Sequence, residues 1–315
     1  MSISISQLNS CTTPHFNQTF VDNVYTGQIV LDRMRKGGRV KRSVDGGTSF
    51  YVPIRYKELG QAKFVDPDSE RQTVQVDSRT AAEYERKYAV CDVVITWREA
   101  VANRGKPQMV DLVADKLKEG ALDLQELISD ALFQSYSSIG SNDLEGFYAI
   151  IRDPSSTTTL GGVSSADVPA WVAGVYYTSA VDLALYGSYS MDYGMRQCTY
   201  VEAPDMIITT LDLCSEYSSK LQPSERREPE NGRAGATDLY FEGAPIVWDK
   251  HVDSGDMLFI NTKNLWLFVD SEYDFSIEGW VDDPDRLNAA RCLFSFSGAL
   301  GCDLRRHFGA YTAVS

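Results

Sequence analysis

From Thr48 the sequence alternates with a period of two. Thr48, Phe50, Val52, Ile54 and Tyr56 fall on one face of a strand, and Ser49, Tyr51, Pro53 and Arg55 fall on the other. Asp45-Gly-Gly47 opens this strand, and Pro53, which has no N–H to give a ladder, restricts it to a sheet edge. A charged tip over 57–71 follows, then a short stretch at 73–76. A returning limb is expected over 84–96, apolar across 89–95 apart from Asp92. The result is a long hairpin, and two strands alone are marginal in water. Such a hairpin needs a surface to lie on.

A long helix comes next. Pro107 stands where a first helical turn accepts proline. Met109, Val113, Leu117, Leu124, Leu127, Ile128 and Ala131 recur at spacings of three, four and seven, which predicts a helix to about Tyr136. Roughly thirty residues at 1.5 Å each span about 45 Å. Gly120 within it should cost about 1 kcal/mol relative to alanine. One long hairpin followed by one long helix is an unusual pairing for a compact enzyme.

Beyond the helix, residues 146–152 read as a strand, and a Ser/Thr-rich loop leads to Gly161-Gly162 and on to Trp171. Mixed segments fill 174–198. A short buried strand at 206–210 runs into a helix over 211–221, and 222–236 is a polar loop exposed to solvent. Two strands lie in 240–249 and 259–266, joined by a short connection, and closing strands are expected at 268–280, 291–297 and 300–312. Helices and strands mix without a βαβ rhythm, so the fold class is α+β. No internal repeat occurs at a solenoid period.

Chemical motifs are missing where an enzyme would show them. The three histidines (15, 251 and 307) are far apart in sequence. There is no His-Glu-x-x-His, no Gly-x-Ser-x-Gly, no phosphate loop ending in Gly-Lys-Ser/Thr and no Gly-x-Gly-x-x-Gly. Asp66, Asp68 and Glu70 have the oxygen spacing of a calcium loop, but Arg71 occupies the glycine position and Asp77 the place of the bidentate Glu. Asp282, Asp283 and Asp285 show the same partial likeness, and turn chemistry explains both groups more simply. No catalytic residue, cofactor or metal ligand is expected. Six cysteines never form a Cys-x-x-Cys pair and read as free thiols. Past the polar start, the longest uncharged stretch, 168–181, has fourteen residues and is too short to span a bilayer.

The net charge is −14, which disfavours general affinity for nucleic acid. One local exception is the run Arg33, Arg35, Lys36, Arg39, Lys41 and Arg42, interrupted by Gly37-Gly38 and preceded by an expected short helix over 20–34. Pairing with acidic patches on turns or neighbouring subunits is the simpler reading of this run, with scaffold or nucleic-acid contact as the alternatives.

In this order, several segments resemble tailed-phage major capsid proteins of the HK97-like fold. They are the polar arm, the Gly-Gly-started hairpin, the long helix, Gly146-Phe-Tyr-Ala-Ile-Ile151 and Gly161-Gly162 with Pro169-Ala-Trp171. Phe241-x-Gly-x-Pro-Ile246, Asn261-Thr-Lys-Asn-Leu265 and the closing Gly298-Ala-Leu-Gly-Cys-Asp-Leu-Arg-Arg-His-Phe-Gly309 complete the likeness, which covers nearly the whole chain. It implies an N-terminal arm over 1–45, an extended E-loop hairpin over 46–96 and a P-domain with its spine helix over 97–171. An A-domain over 172–265 and closing strands over 266–315 returning to the P-domain would complete the fold.

The resemblance further implies self-assembly into hexamers and pentamers of an icosahedral head, with portal protein and packaged double-stranded DNA, bound without sequence specificity, as partners. No membrane partner is implied. A cement protein is left open. The place of action would be the virion capsid, and the host cytoplasm during assembly. With about 45 residues before the hairpin, a separate scaffolding protein is expected in place of a long cleaved assembly segment. The assembly interface is expected to use the six cations of 33–42 together with Phe50, Val52, Ile54, Tyr56 and Lys63, the hairpin lying across an adjacent subunit. No matched asparagine and helper carboxylate are identified for Lys57 or Lys63, so no crosslink is expected. A cellular nanocompartment shell of the same fold, a soluble carboxylate-dependent hydrolase and a tail or adhesion protein are the alternative readings.

Overall fold

The computed structural model describes residues 38, 40–43, 47–60, 62, 64, 76–102, 106–178, 182–221, 239–283 and 289–314, with backbone only at 43, 100–102 and 106–112. In chain order the strands begin with β1 Val40–Ser43, β2 Ser49–Arg55, β3 Arg79–Glu85, β4 Lys87–Thr96, β5 Thr159–Leu160, β6 Val163–Ser164, β7 Val175–Tyr177 and β8 Met206–Thr209. They continue with β9 Leu239–Phe241, β10 Ala244–Trp248, β11 Met257–Ile260, β12 Leu265–Asp270, β13 Ser276–Ile277, β14 Val281–Asp282, β15 Ala289–Cys302 and β16 Gly309–Tyr311. The helices are α1 Trp97–Ala102, α2 Lys106–Phe133, α3 Phe147–Ile150, α4 Met191–Cys198 and α5 Leu211–Lys220. The mixed α+β class expected from the sequence is what the chain adopts.

Two compact units form. The first comprises Met1–Thr48, Arg86–Tyr148 and Leu265–Leu300. Its sheet centres on β15, which pairs antiparallel with β4 from Lys87↔Gly298 to Thr96↔Ala289, and on its other edge with β13 and β14. β12 also joins β15, and β1 runs parallel beside β12. Helix α2 lies on this sheet. Val113, Leu117, Leu124, Ile128 and Leu132 are buried at spacings of four and seven, and each contributes about 1.5–3 kcal/mol by leaving water. Leu127, expected on this face, is instead exposed, as is Leu122. A methyl group at Gly120 would sit 2.4 Å from Val93 Cγ2 and 3.1 Å from Phe294 Cε2. The glycine that weakens the helix locally is therefore what lets it approach β4 and β15.

The second unit comprises Ser49–Glu85, Ala149–Asn264 and Gly301–Ser315. Its sheet has the order β7-β16-β11-β8-β10-β9, with β8 parallel to β10 and β7 parallel to β16. The central strands β8 and β11 are buried at every position, as their continuous apolar sequences require of strands covered on both faces. Helix α4 packs on β11 and β16, and α5 packs on β10. Met195, Cys198, Ile207, Leu213, Tyr217 and Phe259 lie at the centre of this core.

Several sequence expectations need correction. The returning limb read over 84–96 is two elements. β3 closes the hairpin from Ser49↔Glu85 to Arg55↔Arg79, whereas β4 belongs to the β15 sheet. Residues 146–152 contain the helical turn α3 and no strand. All of 147–151 is buried, and a short apolar run buried on every side carries no period that separates strand from helix. The stretch 240–249 is itself a hairpin, β9–β10, turned at Glu242 (φ 47°) and Gly243 (φ 88°), a left-handed pair suited to a two-residue hairpin turn. The stretch 259–266 is divided between β11 in the second unit and β12 in the first. The last closing strand, β16, joins the β7–β11 sheet of the second unit.

Candidate assembly interface

The β2–β3 hairpin has two unlike faces. Val52, Ile54, Ala82 and Tyr84 are buried, and Tyr51, Pro53, Arg55, Arg79, Ala81, Glu83 and Glu85 are exposed. The period-two pattern read from Thr48 onward is thus correct, and Phe50 and Tyr56 at the ends of the apolar face are half-buried. Val52 and Ile54 are only 6% and 7% exposed in the single chain. Their face is covered within the single chain, and the opposite face is the exposed one.

Three contacts seat the hairpin within its unit. The Tyr84 hydroxyl donates to the Cys302 carbonyl oxygen at 3.0 Å and accepts from the Cys302 N–H at 3.2 Å. The Glu83 N–H donates to the Gly161 carbonyl oxygen at 2.9 Å. Gly161 (φ 58°) and Gly162 (φ 72°) form the β5–β6 turn, and a Cβ at Gly161 would come within 2.9 Å of Ala82 Cβ. The Leu160-Gly-Gly-Val163 turn therefore serves as a rest for β3. Two glycines between apolar residues signal such a turn in sequence, but nothing there shows what lies on it. Burial pushes the Tyr84 hydroxyl and the Cys302 thiol up, the latter to about 12, so both stay protonated. On the exposed face, hydrogen bonds from Ser49 and then Tyr51 hold the Glu83 carboxyl below its ordinary range.

A second anchor, missed in the sequence, lies just past the end of β15. Arg305 is 1% exposed. Its Nε donates to the Ile150 carbonyl oxygen at 2.9 Å, and Nη1 donates to the Trp171 carbonyl oxygen at 2.9 Å and to Thr158 Oγ1 at 3.1 Å. One guanidinium thus ties α3, the β5 segment and the loop at Trp171 to the chain end. In a sequence, such an arginine looks like any surface cation.

Of the expected interface cations, Lys41 and Arg42 lie in β1. The Lys41 ammonium stands 3.7 Å over the Trp266 ring, and Arg42 pairs with Asp274 at 2.6 Å. Where the chain leaves β3, Arg86 makes a largely buried ion pair with Asp270, the β12 residue beside Ser43 of β1. Arg33, Arg35, Lys36, Arg39 and Lys63 lie outside the described residues, as do the loop 222–236 and the acidic group 66–70. His251 Nδ1 is 2.7 Å from Asp249 Oδ1, and His307 Nδ1 is 2.8 Å from the Glu202 carbonyl oxygen. Each of these two histidines has a local partner. The thiols of Cys91, Cys198, Cys214, Cys292 and Cys302 are free. Among the described residues no helix is long and apolar enough to cross a membrane.

No family model and no curated protein sequence matches the chain. Solved structures do. In the cyanophage A-1(L) capsid asymmetric unit, a chain 13% identical superposes with a TM-score of 0.61 over 88% of this chain and 90% of its own. The capsid of the native GTA particle gives 0.56 at 9% identity over 88% and 89%. The satellite phage P4 procapsid gives 0.51 at 13% identity over 95% and 91%. Over about nine-tenths of its length, the chain has the fold of these capsid proteins.

Proposed function

We propose that this chain is the major capsid protein of a tailed phage, assembling with copies of itself into the hexamers and pentamers of an icosahedral head that encloses double-stranded DNA. The observation that carries this reading is a fold likeness spanning about nine-tenths of both chains in the cyanophage capsid comparison. The N-arm, E-loop, P-domain and A-domain assignments belong to the proposal, with the E-loop narrowed to the β2–β3 hairpin. A two-stranded hairpin with one face exposed suits contact with an adjacent copy. An acidic net charge suits a container whose wall must not hold phosphate. The P4 procapsid includes a size determination (Sid) protein, and a separate scaffolding partner is proposed here by analogy. Portal protein is a further proposed partner, and the host cytoplasm is the proposed place of assembly.

Electron microscopy of the purified chain, alone and co-expressed with its scaffold, tests the proposal. Closed shells of uniform size are expected. Small discrete oligomers, or fibres, under both conditions would refute it. Particles carrying cargo enzymes and no DNA during infection would favour the nanocompartment reading instead.

A further inference from the structure

A cavity of about 460 Å³ opens at the start of α5 in the second unit. Thr210, Asp212, Leu213 and Glu216 line one side of it. Ser254 and Gly255 of the β10–β11 connection line another, and Ala313 and Val314, just past β16, a third. The last two sides are fixed to each other. The Val314 N–H donates to the Gly255 carbonyl oxygen at 2.7 Å, and a Cβ at Gly255 would lie 3.0 Å from the Val314 carbonyl oxygen. Ala313 is held in the left-handed region at φ 62°, which costs an L-residue about 1–2 kcal/mol. Leu213 and Val314 are buried and give the cavity an apolar floor.

The chain leaves much of the polar lining unused. Neither Asp212 nor the Ser254 hydroxyl has a hydrogen-bond or ion-pair partner among the described residues, and both residues are exposed. Thr210 is the N-cap of α5, yet its side chain makes no capping bond. Glu216 is paired with Lys220 at 2.6 Å.

These groups select a ligand. An anion would suit the N–H groups at the head of a helix, but Asp212 stands in that first turn, Glu216 one turn further on, and exposed Asp253 next to Ser254. A hard divalent cation such as calcium takes about six to eight oxygens, and with Glu216 engaged by Lys220 only one carboxylate of the lining is free. A single positive charge on an aliphatic stem satisfies both the free carboxylate and the apolar floor, as lysine does when it lays its methylenes on apolar surface. The volume is that of a small-ligand site, for which about 300–1,000 Å³ is usual.

We infer that this cavity binds an alkylammonium group. Its stem lies on Leu213 and Val314, and its head donates to Asp212 and to the Thr210 and Ser254 hydroxyls, since an ammonium has three donors for acceptors on separate elements. The group is either the side chain of a lysine on a partner chain or a free aliphatic amine. One subunit contains the whole cavity, so the inference does not rest on the capsid proposal.

The probe is n-butylamine, the lysine side chain without its backbone. Added as its chloride to the full-length subunit at constant ionic strength, it should raise the melting temperature progressively, whereas n-butanol and sodium butyrate should not. Equal effects of butylamine and butanol would overturn the inference. Asp212→Asn should weaken the butylamine response about ten-fold, as expected for loss of one charge-assisted hydrogen bond. An unchanged response would overturn the inference. Should that variant fail to fold, Glu216→Gln, which releases Lys220 from its ion pair, should weaken the response as well, and an unchanged response would again contradict it. Acid extraction of purified particles, followed by amine analysis, separates the two sources. A free amine matching the number of subunits assigns the ligand to a small molecule. No amine, with particle yield reduced in Asp212→Asn, assigns it to a lysine of a partner chain. No amine with wild-type yield overturns the inference. Should the chain form no particles, the capsid reading fails by itself, and the butylamine response of the subunit decides the inference.

Discussion

The Tyr84 hydroxyl satisfies both backbone groups of Cys302, donating to its carbonyl oxygen at 3.0 Å and accepting from its N–H at 3.2 Å. One phenol thus fixes β3 to the end of β15, 218 residues later in the chain. Tyr84→Phe would keep the ring packed and leave both buried backbone groups without that partner. A loss of about 1–3 kcal/mol is expected, read as a lower midpoint with unchanged slope in urea unfolding of the unassembled subunit. An unchanged midpoint would show that the hairpin is held without the Tyr84 hydroxyl, by its apolar face and the Glu83–Gly161 backbone bond.

Gly120→Ala sets two effects against each other. Helix propensity alone favours alanine by about 1 kcal/mol. The added methyl group, 2.4 Å from Val93 Cγ2, forces repacking that typically costs about 1–3 kcal/mol. Packing should win, so the variant is expected to be less stable by thermal unfolding. A gain in stability would mean that the helix stands off the β4–β15 sheet.

These two sites show how far the sequence can be read. The alternation from Thr48 to Tyr56 and the heptad-like spacing of Val113, Leu117, Leu124 and Ile128 each announce one buried face, because burial acts locally and repeats with the element's own period. Which surface covers that face is a long-range matter. Nothing near Tyr84 points to Cys302, and nothing near Gly120 points to Val93, so a reading by period alone ends the hairpin too late and counts the glycine as a weakness. The run at 147–151 is buried on all sides and carries no period, so a helical turn passes for a strand. Arg305 gives no signal, since its partners are two carbonyl oxygens and a hydroxyl that nothing nearby in sequence marks out.

Arg305→Lys tests that hidden anchor. The guanidinium fork reaches three acceptors on separate segments, whereas an ammonium is a single point of donation. A loss on the order of 2 kcal/mol is expected in urea unfolding. Stability equal to wild type would show that the fork is dispensable.

Glu242 should make stability depend on pH. Burial, and then the neighbouring Asp192 carboxylate, hold its pKa above the usual value, while Arg196 opposes the shift. A carboxyl whose folded pKa is raised disfavours the folded state once ionised. The penalty is complete above the folded pKa and absent below the unfolded one. Glu242→Gln should therefore raise the melting temperature at about pH 7 and leave it unchanged at about pH 3. An equal shift at both pH values would point to packing and not to charge.

Deleting residues 58–72, the hairpin tip, should leave a subunit that unfolds cooperatively yet fails to close normal particles. Normal shells from this variant would remove the tip from the assembly contact. Replacing all six cations of 33–42 should impair assembly more than folding, and particle counts against subunit melting temperature measure the difference.

The central claim is that copies of this chain build a shell. Cryo-electron microscopy of the chain co-expressed with its scaffold tests it most directly. The account expects closed icosahedral particles whose hexamers and pentamers contain this fold, with each hairpin reaching an adjacent copy. A sample that stays monomeric at high concentration, with scaffold present, would contradict it.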